Sequence, residues 1–142
     1  MGYDAGKHIK GTKRFIAVDT DGLLIRVAVL SAGVQDWDGL RDLCAITAPV
    51  CPRVTAGWVD QGFAAGVYEV QQVHGWELVV VSKPLGQQGF VVHPRRWVVE
   101  RTFAWLCQNR RFSRDYERLC STSEALIYST MSRLMLRRLA RT

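Results

Sequence analysis

The chain has 142 residues, 48% of them hydrophobic, and carries a net charge of +6. That length fits one domain able to bury roughly 68% of its unfolded surface, and no run reaches the roughly 18 uncharged apolar residues that a membrane helix needs. The first residues, Met1-Gly2-Tyr3-Asp4-Ala5-Gly6-Lys7, include no apolar stretch of the kind a secretion signal needs, so a soluble cytoplasmic protein with no membrane partner is expected.

Residues 1–13 are rich in Gly and Lys and read as a loop. Arg14–Asp19 and Leu23–Ser31 are β-like runs, joined by the turn signal Thr20-Asp21-Gly22, and predict an antiparallel hairpin. Asp36 to Ile46 follows, with Leu40, Leu43 and Ile46 at helical spacing and Asp36 as candidate N-cap, until Pro49 and Pro52 stop it. Thr55–Asp60 predicts a third strand, Gly62–Val73 a helix and Trp76–Ser82 a fourth strand, after which Lys83–Gly89 is a loop. Trp97–Gln108 predicts a helix. Ser121-Thr122-Ser123-Glu124 has the pattern of a capping box, opening a helix whose stripe is Ile127, Tyr128, Met131, Leu134 and Met135. Strands, then alternating strand and helix, then helices define a mixed α/β domain spanning 1–142.

None of Cys44, Cys51, Cys107 and Cys120 forms a Cys-x-x-Cys pair, and His8, His74 and His93 stand at no zinc-like spacing from them. Reduced, packed thiols are expected. Charge is segregated: residues 1–94 carry eight Lys/Arg and nine Asp/Glu, whereas residues 95–142 carry eleven Arg and four acids, a net +7. Arginine suits bidentate phosphate contacts, so a polyanion, most simply nucleic acid, is the expected partner. A solvated helix surface is the blander account of the same charge.

Two carboxylates stand out. Asp60 ends an apolar strand before Gln61-Gly62-Phe63, a position that projects an acid into a cleft or simply caps the next helix. Glu100 shares its helix face with Arg96, Phe103, Ala104 and Cys107. An acid on a largely apolar face is costly without a partner. An Arg96–Glu100 pair has the weaker i,i+4 orientation, which favours a bound cation. Phosphodiester cleavage uses such acids: two Mg2+ ions about 3.5–4 Å apart activate the attacking oxygen and stabilise the leaving one. Mg2+ takes oxygen ligands and keeps waters, so a few carboxylates suffice.

Pro94-Arg95-Arg96-Trp97-Val98-Val99-Glu100-Arg101-Thr102-Phe103-Ala104-Trp105-Leu106, with Asn109-Arg110-Arg111-Phe112-Ser113-Arg114-Asp115-Tyr116-Glu117, closely resembles the C-terminal signature of bacterial insertion-sequence transposases of the acidic-triad (DDE) kind. Gly2–Lys7, Gly11–Arg14, Val18–Leu24 and Gln35–Gly39 also resemble segments of that family, so the likeness runs from residue 2 to about residue 139. The resemblance implies an RNase H-like mixed sheet flanked by helices, with Mg2+ or alternatively Mn2+ as cofactor. It also implies cleavage at transposon ends and strand transfer into target DNA. By motif position Asp60 is similar to the second catalytic Asp and Glu100 to the catalytic Glu, both metal ligands, while Arg96, Arg110 and Arg111 are candidate DNA contacts.

In the family's Tyr-x2-Arg-x3-Glu-x6-Lys pattern, Arg96 and Glu100 match, but His93 replaces Tyr and Cys107 replaces the DNA-contacting Lys. Asp60-Gln61-Gly62-Phe63 stands for the usual Asp-Gly-Gly-Tyr. The family's first Asp lies on a strand upstream of the Gly-Tyr-Asp segment with which this sequence opens. A partial catalytic domain lacking that strand, inactive alone, is therefore expected, with a homodimer or full-length transposase as possible partner. The alternative is a non-catalytic DNA-binding or interaction fragment.

Overall fold

The computed structural model describes residues 2–6, 8–81, 94–112, 114 and 116–142. In chain order its elements are β1 (Gly2–Asp4), β2 (Ile9–Val18), β3 (Leu24–Ser31), α1 (Asp36–Thr47), β4 (Ala56–Asp60), a 3-10 turn Gln61–Phe63, α2 (Ala64–His74), β5 (Glu77–Val81), α3 (Pro94–Cys107), a second 3-10 turn Arg110–Phe112, and α4 (Cys120–Leu139). The fold is mixed α/β and compatible with an RNase H-like arrangement, but its strands form two separate sheets. One is antiparallel in the order β1-β2-β3, and the other is the parallel pair β4-β5.

The hairpin forms where the turn signal stands. β2 and β3 pair from Thr12↔Ser31 to Val18↔Leu24. Asp19 closes the turn, its Oδ1 accepting from the backbone N–H of Asp21 and of Leu23, both at 2.9 Å. Successive hairpin residues then serve opposite faces, as the two-residue period of a strand requires. Leu24, Val27 and Val29 pack with Leu106, Phe112, Ile127 and Met131 of the C-terminal elements. Phe15 and Ala28 pack on the other face against Leu43 of α1. Gly39 lets α1 lie this close, because a Cβ there would stand 2.4 Å from the Phe15 ring. The opposite flank of α1 joins the second sheet, where Leu40 and Cys44 pack with Val70 of α2 and Leu78 of β5. Helix α1 thus bridges both sheets, with α3 and α4 across the hairpin from it.

Several expectations need correction. Residues 1–13 contain β1 and the start of β2, paired Gly2↔Gly11 to Asp4↔Ile9. Composition there signals a loop, but the backbone is held by its neighbours in the sheet rather than by local propensity. Asp36 is the first helical residue of α1, after an N-cap Gln35 that makes no side-chain cap bond; its carboxylate pairs instead with Lys13 at 3.3 Å. The capping box at Ser121–Glu124 does not form. Helix α4 starts at Cys120 after Leu119, without a side-chain cap, because Glu124 is used elsewhere: its Oε1 accepts from Val29 N at 2.8 Å. One turn on, the Tyr128 hydroxyl accepts from Val27 N at 3.0 Å. Two side chains of α4 thereby close the outer edge of β3, a form of edge protection. The stripe of α4 is buried most deeply at Ile127 and Met131. All four cysteines are free thiols.

Candidate functional site

Asp60 reaches its position through the parallel ladder of β4 with β5, opposite Val81. The side chain is half-buried, and its Oδ1 accepts from Gln61 N at 2.8 Å, capping the 3-10 turn that leads into α2. The capping role and the cleft position coexist, since a carboxylate has about four acceptor sites. Phe63 of that turn meets Phe15 edge-on with ring centroids 6.1 Å apart, tying the end of β4 to the hairpin.

Glu100 lies on α3, whose placement is set by a clamp at the hairpin turn. Gly22 has φ +82°, a left-handed conformation that favours glycine. The fully buried Thr102 hydroxyl donates to Gly22 O at 2.5 Å, and the Arg101 guanidinium donates to Asp21 O. A Cβ on Gly22 would stand 2.9 Å from the Thr102 hydroxyl oxygen, so space as well as φ calls for glycine. Arg101 is also stacked between two rings, 4.6 Å from the Trp97 centroid and 4.9 Å from that of Trp105, and Arg138 of α4 lies 4.5 Å from the Trp105 centroid. Sequence reasoning missed this clamp. The Asp-Gly turn was visible, but nothing local indicates that a helix eighty residues later docks on it.

The structure also changes the reason for singling out Glu100. It is exposed, as are Ala104 and Cys107 on the same side of α3, so no desolvation cost demands a partner there. Glu100 and Asp60 both line one cavity of about 1130 Å3. Its walls come chiefly from β2, β4, α1 and α3, with Leu78 and Val81 of β5 and Phe112 of the second 3-10 turn. Asp19 and Asp36 line it too, but Asp19 is engaged by the turn backbone and Asp36 by Lys13. No group of three or more His, Cys, Asp or Glu that could hold a metal ion occurs among the described residues. Asp60 and Glu100 are oxygen donors of the kind Mg2+ takes. They suit such an ion in chemistry.

The predicted DNA contacts fare differently. The side chain of Arg96 lies outside the described residues, as does His93 entirely. Arg110 and Arg111 form the second 3-10 turn and are exposed. Arg111 Nε is bonded to Glu117 Oε1 at 2.6 Å, and that hydrogen bond, with the charge of Glu117, raises the guanidinium pKa further. Arg14 holds the same turn against β2, donating to Phe112 O at 3.1 Å with its guanidinium 5.3 Å from the Phe112 ring. The arginines that crowd the last turns of the C-terminal helix in the sequence form a second group: Arg133 and Arg137 of α4 and Arg141 just beyond it recur every four residues, all exposed and none in an ion pair among the described residues.

The chain is thus a mixed α/β domain with two acidic residues lining one inter-sheet cavity and an Arg-rich C-terminal helix. The family model of the transposase DDE domain matches residues 1–135, and the chain belongs to that family. No curated protein and no solved structure matches it. Members of the family generally use divalent metal ions and act on DNA. No described helix is long and apolar enough to cross a membrane.

Proposed function

We propose that the chain is a partial catalytic domain of a DNA transposase, in which Asp60 and Glu100 hold Mg2+ (or Mn2+) beside the scissile phosphodiester. The observation that supports this reading is that both acidic residues, forty positions apart in sequence, line one cavity. When bound, the metal supplies Lewis-acid activation of the attacking oxygen and neutralises charge at phosphorus. The chain's own residues do the rest. Asp60 is oriented by its bond to Gln61 N, Glu100 by the clamp that fixes α3 on the hairpin turn, and Arg96, Arg110 and Arg111 hold DNA phosphates. Cleavage at transposon ends and strand transfer belong to the complete enzyme. Two carboxylates alone hold such an ion weakly, so the chain by itself is expected to bind DNA without cutting it.

The test is a supercoiled-plasmid assay with Mg2+, run beside calorimetric titration of Mg2+ into the protein. The expected result is no nicking, with weak Mg2+ binding that Asp60→Asn and Glu100→Gln each abolish. Robust nicking that survives Asp60→Ala and Glu100→Ala would rule these ligands out. A non-catalytic DNA-binding or interaction fragment is the second reading, favoured by the lack of a three-residue metal cluster among the described residues. It predicts salt-sensitive DNA binding with no Mg2+ heat at all.

A further inference from the structure

Two surfaces on opposite sides of the hairpin carry exposed apolar side chains among charges of opposite sign. The first is the outer layer of α1 and α2. A Cβ on Gly66 would stand 3.0 Å from that of Trp37, and Arg41 reaches Glu69 at 4.0 Å, so the two helices run side by side in the same sense. Their inward residues Leu40, Cys44 and Val70 are buried, yet Tyr68 is 73% exposed, and Trp37 and Val73 are exposed beside it. Asp38, Asp42 and Glu69 of this layer surround Arg41 at 3.1, 3.9 and 4.0 Å. Three carboxylates around one guanidinium leave the layer net negative.

The second surface is the end of α4. From 131 to 142 the sequence holds four arginines and no acidic side chain. Every residue from Leu136 to Thr142 is exposed, Leu139 at 70%. Ser132, Leu136 and Leu139 fall at i, i+4 and i+7, one side of the helix, with Arg133 and Arg137 along its flank. An amphipathic helix with such anchors docks by laying its apolar side on an apolar surface, while flanking charges set register and orientation. The charge of this end is opposite to that of the α1–α2 layer, and guanidinium groups pair bidentately with carboxylates as well as with phosphates. Within one copy the two surfaces cannot meet. Helix α4 packs on the Val27 and Val29 face of the hairpin, and α1 on the Phe15 and Ala28 face.

We propose that the α4 end of one copy docks on the α1–α2 layer of a second copy of this chain. Leu136 and Leu139 then cover Trp37, Tyr68 and Val73, and Arg133, Arg137 and Arg141 face Asp38, Asp42 and Glu69. The contact joins different surfaces of two copies, so it repeats from copy to copy, as a ring or as an open series. Only a few side chains are buried, which makes the interface small, weak and reversible. It uses neither acidic residue of the cavity and no metal, and so stands apart from the catalytic reading.

The experiment is analytical ultracentrifugation of the folded chain, without metal or DNA, from about 10 µM to about 1 mM at about 0.1 M salt, where charge is only partly screened. Wild type is compared with a tail variant, Arg133→Glu, Arg137→Glu and Arg141→Glu combined, and a face variant, Asp38→Lys, Asp42→Lys and Glu69→Lys combined. The average mass of the wild type is expected to rise with concentration. Each variant alone should associate at least about tenfold more weakly, because like charges then meet. An equimolar mixture of the two should recover wild-type association, since every tail again meets a face of opposite sign; that recovery also shows both variants to be folded. Leu136→Ser with Leu139→Ser, which leaves the charge unchanged, should weaken association as well. A wild type that stays monomeric throughout, a tail, face or leucine variant that associates like wild type, or a mixture as weak as its components overturns the proposal. Because the readout involves neither Mg2+ nor DNA, its failure leaves the transposase reading standing, and the converse also holds.

Discussion

Removing the Glu124 carboxylate tests how the hairpin is held. Val29 N is on the outer edge of β3, its residue only 1% exposed, and the carboxylate of Glu124 accepts its hydrogen bond at 2.8 Å. In Glu124→Ala that buried N–H loses its partner, at a cost of roughly 1–3 kcal/mol for an unsatisfied buried group. Taking about 2 kcal/mol, and about 3–5 °C per kcal/mol for a chain of this size, the melting temperature falls by roughly 6–10 °C. Glu124→Gln keeps an acceptor oxygen at the same place and loses only the charge-assisted part, so its melting temperature falls by less than half as much. Circular dichroism melts of the three proteins at neutral pH measure both differences. Equal stability of Glu124→Ala and Glu124→Gln would refute the argument, since packing of the side-chain stem and not the hydrogen bond would then be what matters. Tyr128→Phe probes the neighbouring closure at Val27 and is expected to cost about 1 kcal/mol on the same scale.

Other expectations follow from the same geometry. Leu106→Ala opens a cavity at a fully buried position on α3 and should lower unfolding free energy by about 2–5 kcal/mol in urea titration. Gly22→Ala places a side chain at φ +82°, costing about 1–2 kcal/mol in conformation alone and pressing on Thr102; the same denaturation shows it. Burial pushes the Cys44 thiol from 9.0 up to about 11, so between those values the folded state keeps a proton that the unfolded chain has lost. Stability is then complete below about pH 9 and declines as pH rises toward 11; melts across that range in wild type and Cys44→Ala should show the decline only where the thiol is present. Arg133→Ala, Arg137→Ala and Arg141→Ala should each weaken DNA binding across sequences and reduce the salt slope by about 1, whereas Arg111→Ala, already paired with Glu117, should change it less.

Much of the fold was legible because it is written in local periodicity. The hairpin, α1, the strand ending at Asp60, and α3 announce themselves through alternation, turn residues and helical spacing, and the structure places them within a few residues of expectation. What was not legible depends on distant parts of the chain. Glu124 looks like half of a capping box, yet it bonds a strand ninety-five positions earlier. Residues 2–11 look like a loop because their pairing is owed to each other across Gly6, not to β-branched content. The candidate site divides in the same way. Asp60 was visible as an acid at a strand end. Glu100 was singled out on a premise of burial that its exposure removes, and its place on the cavity wall comes from the tertiary fold.

That placement can be traced to a single helix rotation. At about 100° per residue, Leu106 lies about 40° from Thr102 around α3, whereas Glu100 lies about 200° away, on the opposite side. Thr102 and Leu106 are both fully buried, Thr102 against the carbonyl of Gly22 and Leu106 among Val27, Ile127 and Met131. Once these two are seated, the helix cannot turn without exposing Leu106 or stranding the Thr102 hydroxyl, and Glu100 is committed to the rim shared with Phe103. The cation–ring stack of Arg101 with Trp97 and Trp105 reinforces the same rotation from the exposed side. Glycine at position 22, far from either acid in sequence, therefore helps seat the helix that carries one of them to the cavity wall.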